Sequence, residues 1–247
     1  MGVGVGPGDP ELVTLQALRV LKEADRVVAP TTGTDEPGRA ESVVRAVIPG
    51  IDIRRLAFSM APDSEPGGRQ ARQDSHKRAA ASIAEMLDAG DSVAFVTIGD
   101  PNVYSTFPTV AAAVSRMRPT TEIRTVAGIC AFQSLAARSA TVLLDGTESL
   151  ALVTALDGTD HVREALEDSS RAVVIYKGGK HLPAIARMLE SAGRIDGAVM
   201  GERLGLEGER VAPVKDVADE EVSYLATVIV PPAIHSPDVP DQDTDPS

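Results

Sequence analysis

Short apolar runs alternate with amphipathic segments along the first half of the sequence, and this alternation predicts an α/β fold. Ser92 to Ile98 is rich in β-branched residues and is typical of a buried parallel strand. Thr14 to Ala24 has apolar residues near helical spacing, with Thr14 as its predicted N-cap. A second strand is predicted at Asp25 to Ala29, ended by Pro30.

In the second half the helices become sparse and the strands crowd together, which indicates a mixed sheet. We predict two α/β domains, at residues 1–119 and 120–233, with the strand from Glu122 to Val126 opening the second domain. Residues 234–247 follow as a tail, which after Ser236 contains four aspartates among prolines and no basic residue. This acidic tail is expected to be disordered.

The composition excludes several classes of protein. A net charge of −12 argues against a nucleic-acid partner, because neutralising phosphates needs a basic face. The single cysteine, Cys130, excludes an internal disulfide and a multi-cysteine zinc site, and we expect no metal. No apolar run is long enough for a membrane helix and no secretion signal is recognisable, so we expect a cytoplasmic protein without a membrane partner.

The most unusual local sequence is the opening GVGVGPGDPE, from Gly2 to Glu11. Glycines at alternate positions let a flat ligand approach the backbone where a strand turns into a helix. The spacing is not that of a dinucleotide fingerprint, and prolines replace N–H donors that a pyrophosphate would need. A tight turn without a ligand is the simpler alternative. The chain begins almost inside this first strand, so a truncation or an alternative start is expected.

A second motif, GDPNVYST from Gly99 to Thr106, directly follows the predicted buried strand. Ligands of open α/β sheets bind at the carboxyl ends of strands. Asp100 is suited to a cationic or hydroxylated ligand, and three hydroxyl side chains stand where a helix starts. An Asp-Pro turn followed by a Ser or Thr N-cap explains the same residues without a ligand.

Taken together, GVGVGPGDPELVTLQALRVLKEADRV, FVTIGDPNVYSTF and TVAGICAFQSLAAR resemble the tetrapyrrole (corrin and porphyrin) methylase family, over about residues 2 to 231. The resemblance implies two α/β domains with a cofactor cleft between them, the class III methyltransferase fold, and a homodimer. It implies S-adenosyl-L-methionine as cofactor and S-adenosyl-L-homocysteine as product. The segments YKGGKHLPAI and ERLGLEGERV resemble the branch that methylates precorrin-2 at C-20 in cobalamin biosynthesis.

Carried over by motif, the family's cofactor contacts fall on Pro7, Gly99, Asp100, Val103, Tyr104, Ser105, Thr106, Cys130, Ala131, Tyr176, Leu204 and Ala226. The pair Cys130-Ala131 departs from the family's frequent Thr-Ser, so two hydroxyls are lost there. Tyr176 stands where the family commonly has a Met, and it either stacks on the adenine or belongs to the core.

The implied substrate is a polyanionic tetrapyrrole, which an acidic protein must meet with local positive charge. Candidate substrate-binding residues are Arg69, Arg72, Lys77 and Lys180, although such a cluster is often only a solvated face. The catalytic residue is unknown, with Tyr104, His181 and Glu202 as candidates for accepting a proton. Alternatives are the cobalt-loaded substrate, another methylase of the family, a non-catalytic binding module and, least favoured, a nicotinamide enzyme.

Overall fold

A computed structural model describes residues 1–33, 37–59, 61, 65–220 and 222–233. These residues divide after Cys130 into a first and a second compact unit. The acidic tail predicted at 234–247 lies outside the described residues. In the part of the chain that is described, no helix is both long and apolar enough to cross a membrane.

The first unit is a parallel sheet with order β3-β2-β4-β1-β5 and helices between successive strands. Its elements in chain order are β1 Gly2–Gly4, α1 Leu15–Glu23, β2 Arg26–Thr31, α2 Arg39–Val47, β3 Ile53–Ala57, α3 Gly68–Asp88, β4 Val93–Thr97, α4 Phe107–Met117 and β5 Thr125–Val126.

The apolar residues of β4 explain its central position, because all five of its residues are buried and both faces of the sheet are covered. Leu21 of α1 and Val43 of α2 pack on one face of the sheet. Phe95 and Phe107 pack on the other face, together with α3 and α4. The predicted α/β class is confirmed.

The predicted N-cap of α1 is also confirmed. The hydroxyl oxygen of Thr14 accepts a hydrogen bond from the Ala17 N–H at 3.1 Å, which satisfies one of the N–H groups that a helix start leaves without a partner.

The prediction that Pro30 ends β2 is wrong, since the strand continues to Thr31 and pairs with β3 along that length. The other neighbour, β4, pairs only with Arg26 to Val28. Pro30 therefore lies where β2 has one partner instead of two, and its missing N–H breaks no ladder on the open side.

The two units separate about ten residues later than the predicted boundary near residue 120. The strand predicted to open the second domain, β5, is parallel to β1, with Gly2 opposite Thr125 and Val3 opposite Val126. The N–H of Gly2 also donates to the carbonyl of Arg124 at 2.9 Å. Hydrogen bonding to β1 therefore holds this strand in the first sheet.

The second unit is a mixed sheet with order β6-β7-β10-β8-β9, as predicted. Strands β6 and β7 are parallel, whereas β10 is antiparallel to both of its neighbours. Its elements are α5 Ala131–Ser139, β6 Ser149–Thr154, α6 Asp160–Leu166, β7 Arg171–Tyr176, α7 Leu182–Ser191, β8 Val199–Glu202, β9 Arg210–Pro213 and β10 Thr227–Val230.

A buried carboxylate links α2 to β3 in the first unit. The side chain of Glu41 is fully buried, and it accepts hydrogen bonds from Arg55 Nε at 2.7 Å, Arg55 Nη2 at 3.0 Å and Arg45 Nε at 2.9 Å. Hydrogen bonding to Arg55, and then to Arg45, lowers the pKa of Glu41 below its ordinary value.

We expect Glu41→Gln to lower the free energy of unfolding by about 2 kcal/mol at neutral pH, because the amide leaves part of this network unsatisfied. In the wild type the pKa of Glu41 is lower in the folded state than in the unfolded state. The contribution of Glu41 is therefore complete above the unfolded pKa and is lost as the pH falls through the folded value. Urea denaturation followed from pH 7 downward measures both effects.

The matched control is Glu23→Gln in α1, where Glu23 pairs with Arg19 at 3.2 Å and both side chains are more than half exposed. An exposed pair of this kind contributes little, so the control should unfold like the wild type. Equal stability of Glu41→Gln and the wild type at neutral pH would contradict the structural role of Glu41.

Candidate functional site

The order of strands in the first unit creates one position suited to a ligand. Strands β1 and β4 are neighbours, but the chain leaves β1 towards β2 and leaves β4 towards β5, on the opposite side. The following helices accordingly cover opposite faces of the sheet. A crevice at the carboxyl ends of two such strands is where open α/β sheets bind their ligands.

The loops that follow β1 and β4 are hydrogen-bonded to each other at this position. The Val5 N–H donates to the Thr97 carbonyl at 3.0 Å, and the Gly99 N–H donates to the Gly6 carbonyl at 2.8 Å. Gly6 and Gly99 form an isolated antiparallel bridge. The two motifs singled out in the sequence therefore lie together, as predicted.

A third loop, after β5, joins them through direct contact between glycine backbones. A Cβ atom on Gly4 would lie 2.5 Å from the Gly99 carbonyl oxygen and 2.7 Å from Gly128 Cα. A Cβ on Gly128 would in turn lie 2.8 Å from Gly4 Cα. Because backbone atoms have no room to yield, only glycine fits at positions 4 and 128.

Asp100 holds the same loops together through its carboxylate. Oδ2 accepts a hydrogen bond from the Gly128 N–H at 2.9 Å, and Oδ1 accepts one from the Asn102 N–H at 2.8 Å. Asp100 remains partly exposed. Each oxygen also keeps accepting capacity, so the carboxylate can serve a cationic ligand while it orders the loop.

Tyr104 occupies a strained position in this loop. Its φ is 47°, in the left-handed region that a bulky residue seldom adopts, and its side chain is 45% exposed. Burial of the rest of the side chain raises the pKa of the hydroxyl above its ordinary value. The phenol is therefore protonated at neutral pH, and it is better suited to donating a hydrogen bond than to accepting a proton.

The hydroxyls of Ser105 and Thr106 have different surroundings. Ser105 Oγ lies 3.0 Å from the hydroxyl of the buried Thr97 and accepts a hydrogen bond from the Phe107 N–H at 3.1 Å. Ser105 thus satisfies the first N–H of α4 and links the start of this helix to the end of β4. Thr106 is partly buried and makes no capping hydrogen bond with its side chain.

The other predicted contacts of the first unit lie close to these loops in the chain. Pro7 is buried directly after the bridge to Gly99, and the Val103 N–H donates to the Asp100 carbonyl at 3.2 Å. Cys130 is buried at the last position of the unit. Their roles towards a cofactor remain predictions.

In the second unit, three predicted cofactor contacts belong to one apolar cluster. Leu204 is buried in it, and Ala131 and Tyr176 pack against it. The Tyr176 hydroxyl accepts a hydrogen bond from the Phe132 N–H at 3.3 Å. Tyr176 therefore has a core role, whereas stacking on an adenine is not tested. Ala226 is fully buried and its side chain belongs to a different cluster.

The remaining proton-acceptor candidates, His181 and Glu202, also lie in the second unit. His181 is partly buried and directly precedes α7. Glu202 ends β8, and its carboxylate accepts a hydrogen bond from the Ser223 N–H at 2.7 Å and lies 4.0 Å from Arg210 Nη1. Glu202 thus has partners within its own unit.

The predicted substrate cations belong to both units. Arg69, Arg72 and Lys77 lie on α3 of the first unit, where Lys77 Nζ is 3.8 Å from Asp74. Arg72 also contributes to lowering the pKa of His76, after burial. Lys180 is exposed in the second unit, between β7 and α7.

The sequence reasoning gave Gly4 no role beyond its place in the opening motif, and it omitted Gly128 and Thr97 from the site. Each gave a signal, because Gly4 and Gly128 are glycines at predicted strand ends and Thr97 is a hydroxyl inside an apolar run. Among the residues that the structure describes, no group of three or more His, Cys, Asp or Glu is arranged to hold a metal ion.

Residues 1–218 match the family described as Tetrapyrrole (Corrin/Porphyrin) Methylases. The chain is 34% identical over 236 residues to "Cobalamin biosynthesis protein CobIJ" of Mycobacterium bovis, covering 93% of this chain and 45% of that protein. It thus spans about half the length of that relative. It is 29% identical over 235 residues to "Precorrin-2 C(20)-methyltransferase" of Sinorhizobium sp, covering 94% of both chains.

A solved structure, uroporphyrin-III C-methyl transferase from Thermus thermophilus complexed with S-adenyl homocysteine, is 26% identical with a TM-score of 0.64. The alignment covers 93% of this chain and 95% of that one. The resemblance inferred from the glycine-proline opening and GDPNVYST is therefore confirmed. The chain belongs to the tetrapyrrole (corrin/porphyrin) methylase family.

Proposed function

We propose that this chain transfers a methyl group from S-adenosyl-L-methionine to C-20 of precorrin-2, giving precorrin-3A in cobalamin biosynthesis. The observation that carries the proposal is the similarity, over 94% of both chains, to the Sinorhizobium protein named for this reaction. The resemblance of YKGGKHLPAI and ERLGLEGERV to the same branch supports it.

The residues at the carboxyl ends of β1 and β4 fit S-adenosyl-L-methionine. The cofactor carries a sulfonium and an ammonium but no phosphate, and Asp100 offers a carboxylate to a cation. Pro7 and Pro101 lack the N–H groups that a phosphate would need. When bound, the cofactor supplies an electrophilic methyl group to a carbon nucleophile of the substrate.

The chain's own residues position the reactants and accept the proton that the substrate loses. The loops joined at Gly4, Gly99 and Gly128 fix the site, and holding reactants in register lowers the barrier to transfer. The protonated Tyr104 hydroxyl can donate to the substrate. The proton lost from C-20 needs an acceptor, and His181 and Glu202 remain candidates.

Substrate carboxylates are assigned to Arg69, Arg72 and Lys77 on α3 of the first unit and to Lys180 of the second unit. The proposal includes a homodimer in the cytoplasm, both implied by the family. Sedimentation velocity of the purified chain tests the dimer. A monomer at micromolar concentration would remove that part of the proposal.

The reaction is tested by incubating the purified chain with S-adenosyl-L-methionine and precorrin-2 under anaerobic conditions. We expect the tetrapyrrole to gain the mass of one methylene unit, with NMR placing the new methyl group at C-20. A parallel reaction with the cobalt-loaded substrate identifies the preferred form. Absence of a mass gain on both substrates, or methylation elsewhere, would refute the proposal.

Replacing Asp100 tests the cofactor site. We expect Asp100→Asn to weaken S-adenosyl-L-homocysteine binding by about 10-fold and Asp100→Ala by more, since a charged acceptor is lost and the loop loses its link to Gly128. Isothermal titration calorimetry measures the dissociation constants.

Asp168→Asn is the matched control. Asp168, like Asp100, accepts a hydrogen bond from the N–H of the second residue after it, here Ser170 at 3.0 Å. Asp168 lies in the second unit, after α6. The control should bind S-adenosyl-L-homocysteine like the wild type. An unchanged dissociation constant for both Asp100 variants would contradict the assigned role.

The contact between strand ends is tested by Gly128→Ala, whose added methyl group would meet the backbones of Gly4 and Gly99. We expect a loss of about 1–3 kcal/mol in the free energy of unfolding and weaker cofactor binding. Denaturant titration and calorimetry measure the two effects. The control Ala127→Ser adds one atom to the exposed neighbouring side chain and should change neither.

A further inference from the structure

Two cationic residues of the second unit have a backbone conformation that normally favours glycine. Lys177 directly follows β7 with φ 57°, and Arg203 directly follows β8 with φ 51°. Left-handed backbone is costly for residues with a side chain. Both turns therefore carry a cation at a position where glycine would cost less.

The sheet places both residues at the same edge. Strand β10 lies between β7 and β8 and is antiparallel to both, so β7 and β8 run in the same direction. Thr227 of β10 pairs with Tyr176 on one side and with Gly201 on the other. Lys177 and Arg203 therefore follow the same ends of two strands that lie about 10 Å apart.

Packing imposes the conformation of both segments. After Lys177, the Gly178 N–H donates to the Ala226 carbonyl at 3.4 Å. A Cβ on Gly179 would lie 2.8 Å from the Val222 carbonyl oxygen, so this segment lies directly against the chain that leads into β10. The left-handed backbone at Lys177 thus belongs to an ordered turn.

The segment after β8 is equally constrained. The Arg203 carbonyl accepts a hydrogen bond from the Leu206 N–H at 2.8 Å, and Leu204 is buried. Arg138 Nε pairs with Glu209 at 2.8 Å, and Glu209 also accepts a hydrogen bond from the Gly205 N–H at 2.5 Å.

Arg203 is exposed at this edge and is accessible to an anion. Within the described part of the chain no carboxylate pairs with Arg203. The acidic neighbour Glu202 is engaged by the Ser223 N–H and by Arg210. In the second unit Arg138, Arg171, Arg210 and Lys215 each lie within ion-pair distance of a carboxylate.

We infer that Lys177 and Arg203 bind two peripheral carboxylates of the tetrapyrrole, an inference that rests on the proposed function. The net charge of −12 opposes long-range attraction of a polyanion. Two fixed cations at one sheet edge supply that attraction locally, through charge-assisted hydrogen bonds. Their spacing selects a ligand with more than one carboxylate.

The variants Lys177→Gly and Arg203→Gly test the inference, because glycine removes the charge and relieves the backbone at once. Each should weaken binding of uroporphyrin, a porphyrin polycarboxylate, by about 10-fold. Each should also raise the melting temperature by about 2 °C, since glycine suits a positive φ. Fluorescence titration without cofactor measures the uroporphyrin affinity, and thermal denaturation measures the melting temperature. A lower affinity together with a higher melting temperature is expected only of a residue that binds the ligand.

Ala140→Gly is the matched control, because Ala140 also has a positive φ, 52°, but no charge. It should raise the melting temperature and leave uroporphyrin binding unchanged. Arg203→Lys keeps a charge and should retain more binding than Arg203→Gly.

Uroporphyrin affinity equal to that of the wild type in both glycine variants would overturn this inference, and methylation of precorrin-2 would still support the proposed function. If the chain methylated neither substrate but bound uroporphyrin in a way that depends on Lys177 and Arg203, the proposed function would be overturned. The inference that these two residues bind carboxylates would then stand. If the wild type bound no uroporphyrin, the inference would fall.

Discussion

The contact between the backbones of Gly4, Gly99 and Gly128 is the constraint on which the rest of the site depends. It brings the ends of β1, β4 and β5 closer together than any side chain at positions 4 and 128 would allow. The Asp100 carboxylate completes the contact by accepting the Gly128 N–H. Strands β1 and β4 form the switch point of the sheet, so this close approach decides which residues line that edge.

The distribution of charge follows a second constraint. An acidic chain has enough carboxylates to pair most of its cations, and Glu41, Glu209 and Glu220 do so with arginines. Those pairs stabilise the fold and offer little to an anionic ligand. Lys177 and Arg203 have a further feature, since both have a positive φ at one edge of the second sheet.

The folded chain adds contacts to several predicted site residues. The Ser105 hydroxyl accepts the first N–H of α4 and lies beside Thr97, and its contact with a cofactor stays a prediction. Tyr176 packs against an apolar cluster, and its stacking on an adenine also stays a prediction. The boundary between the units lies after Cys130, because the strand β5 completes the first sheet by pairing with β1.

The sequence alone determined the α/β class, most helices and strands, and the family, since these depend on local periodicity and on contiguous motifs such as GDPNVYST. Only the tertiary structure decided that β5 joins the first sheet, that Gly128 lies against Gly4, and that Lys177 and Arg203 share an edge. The physical reason is that strand order and close backbone approach arise from pairing between distant segments, which the periodicity of each segment does not encode.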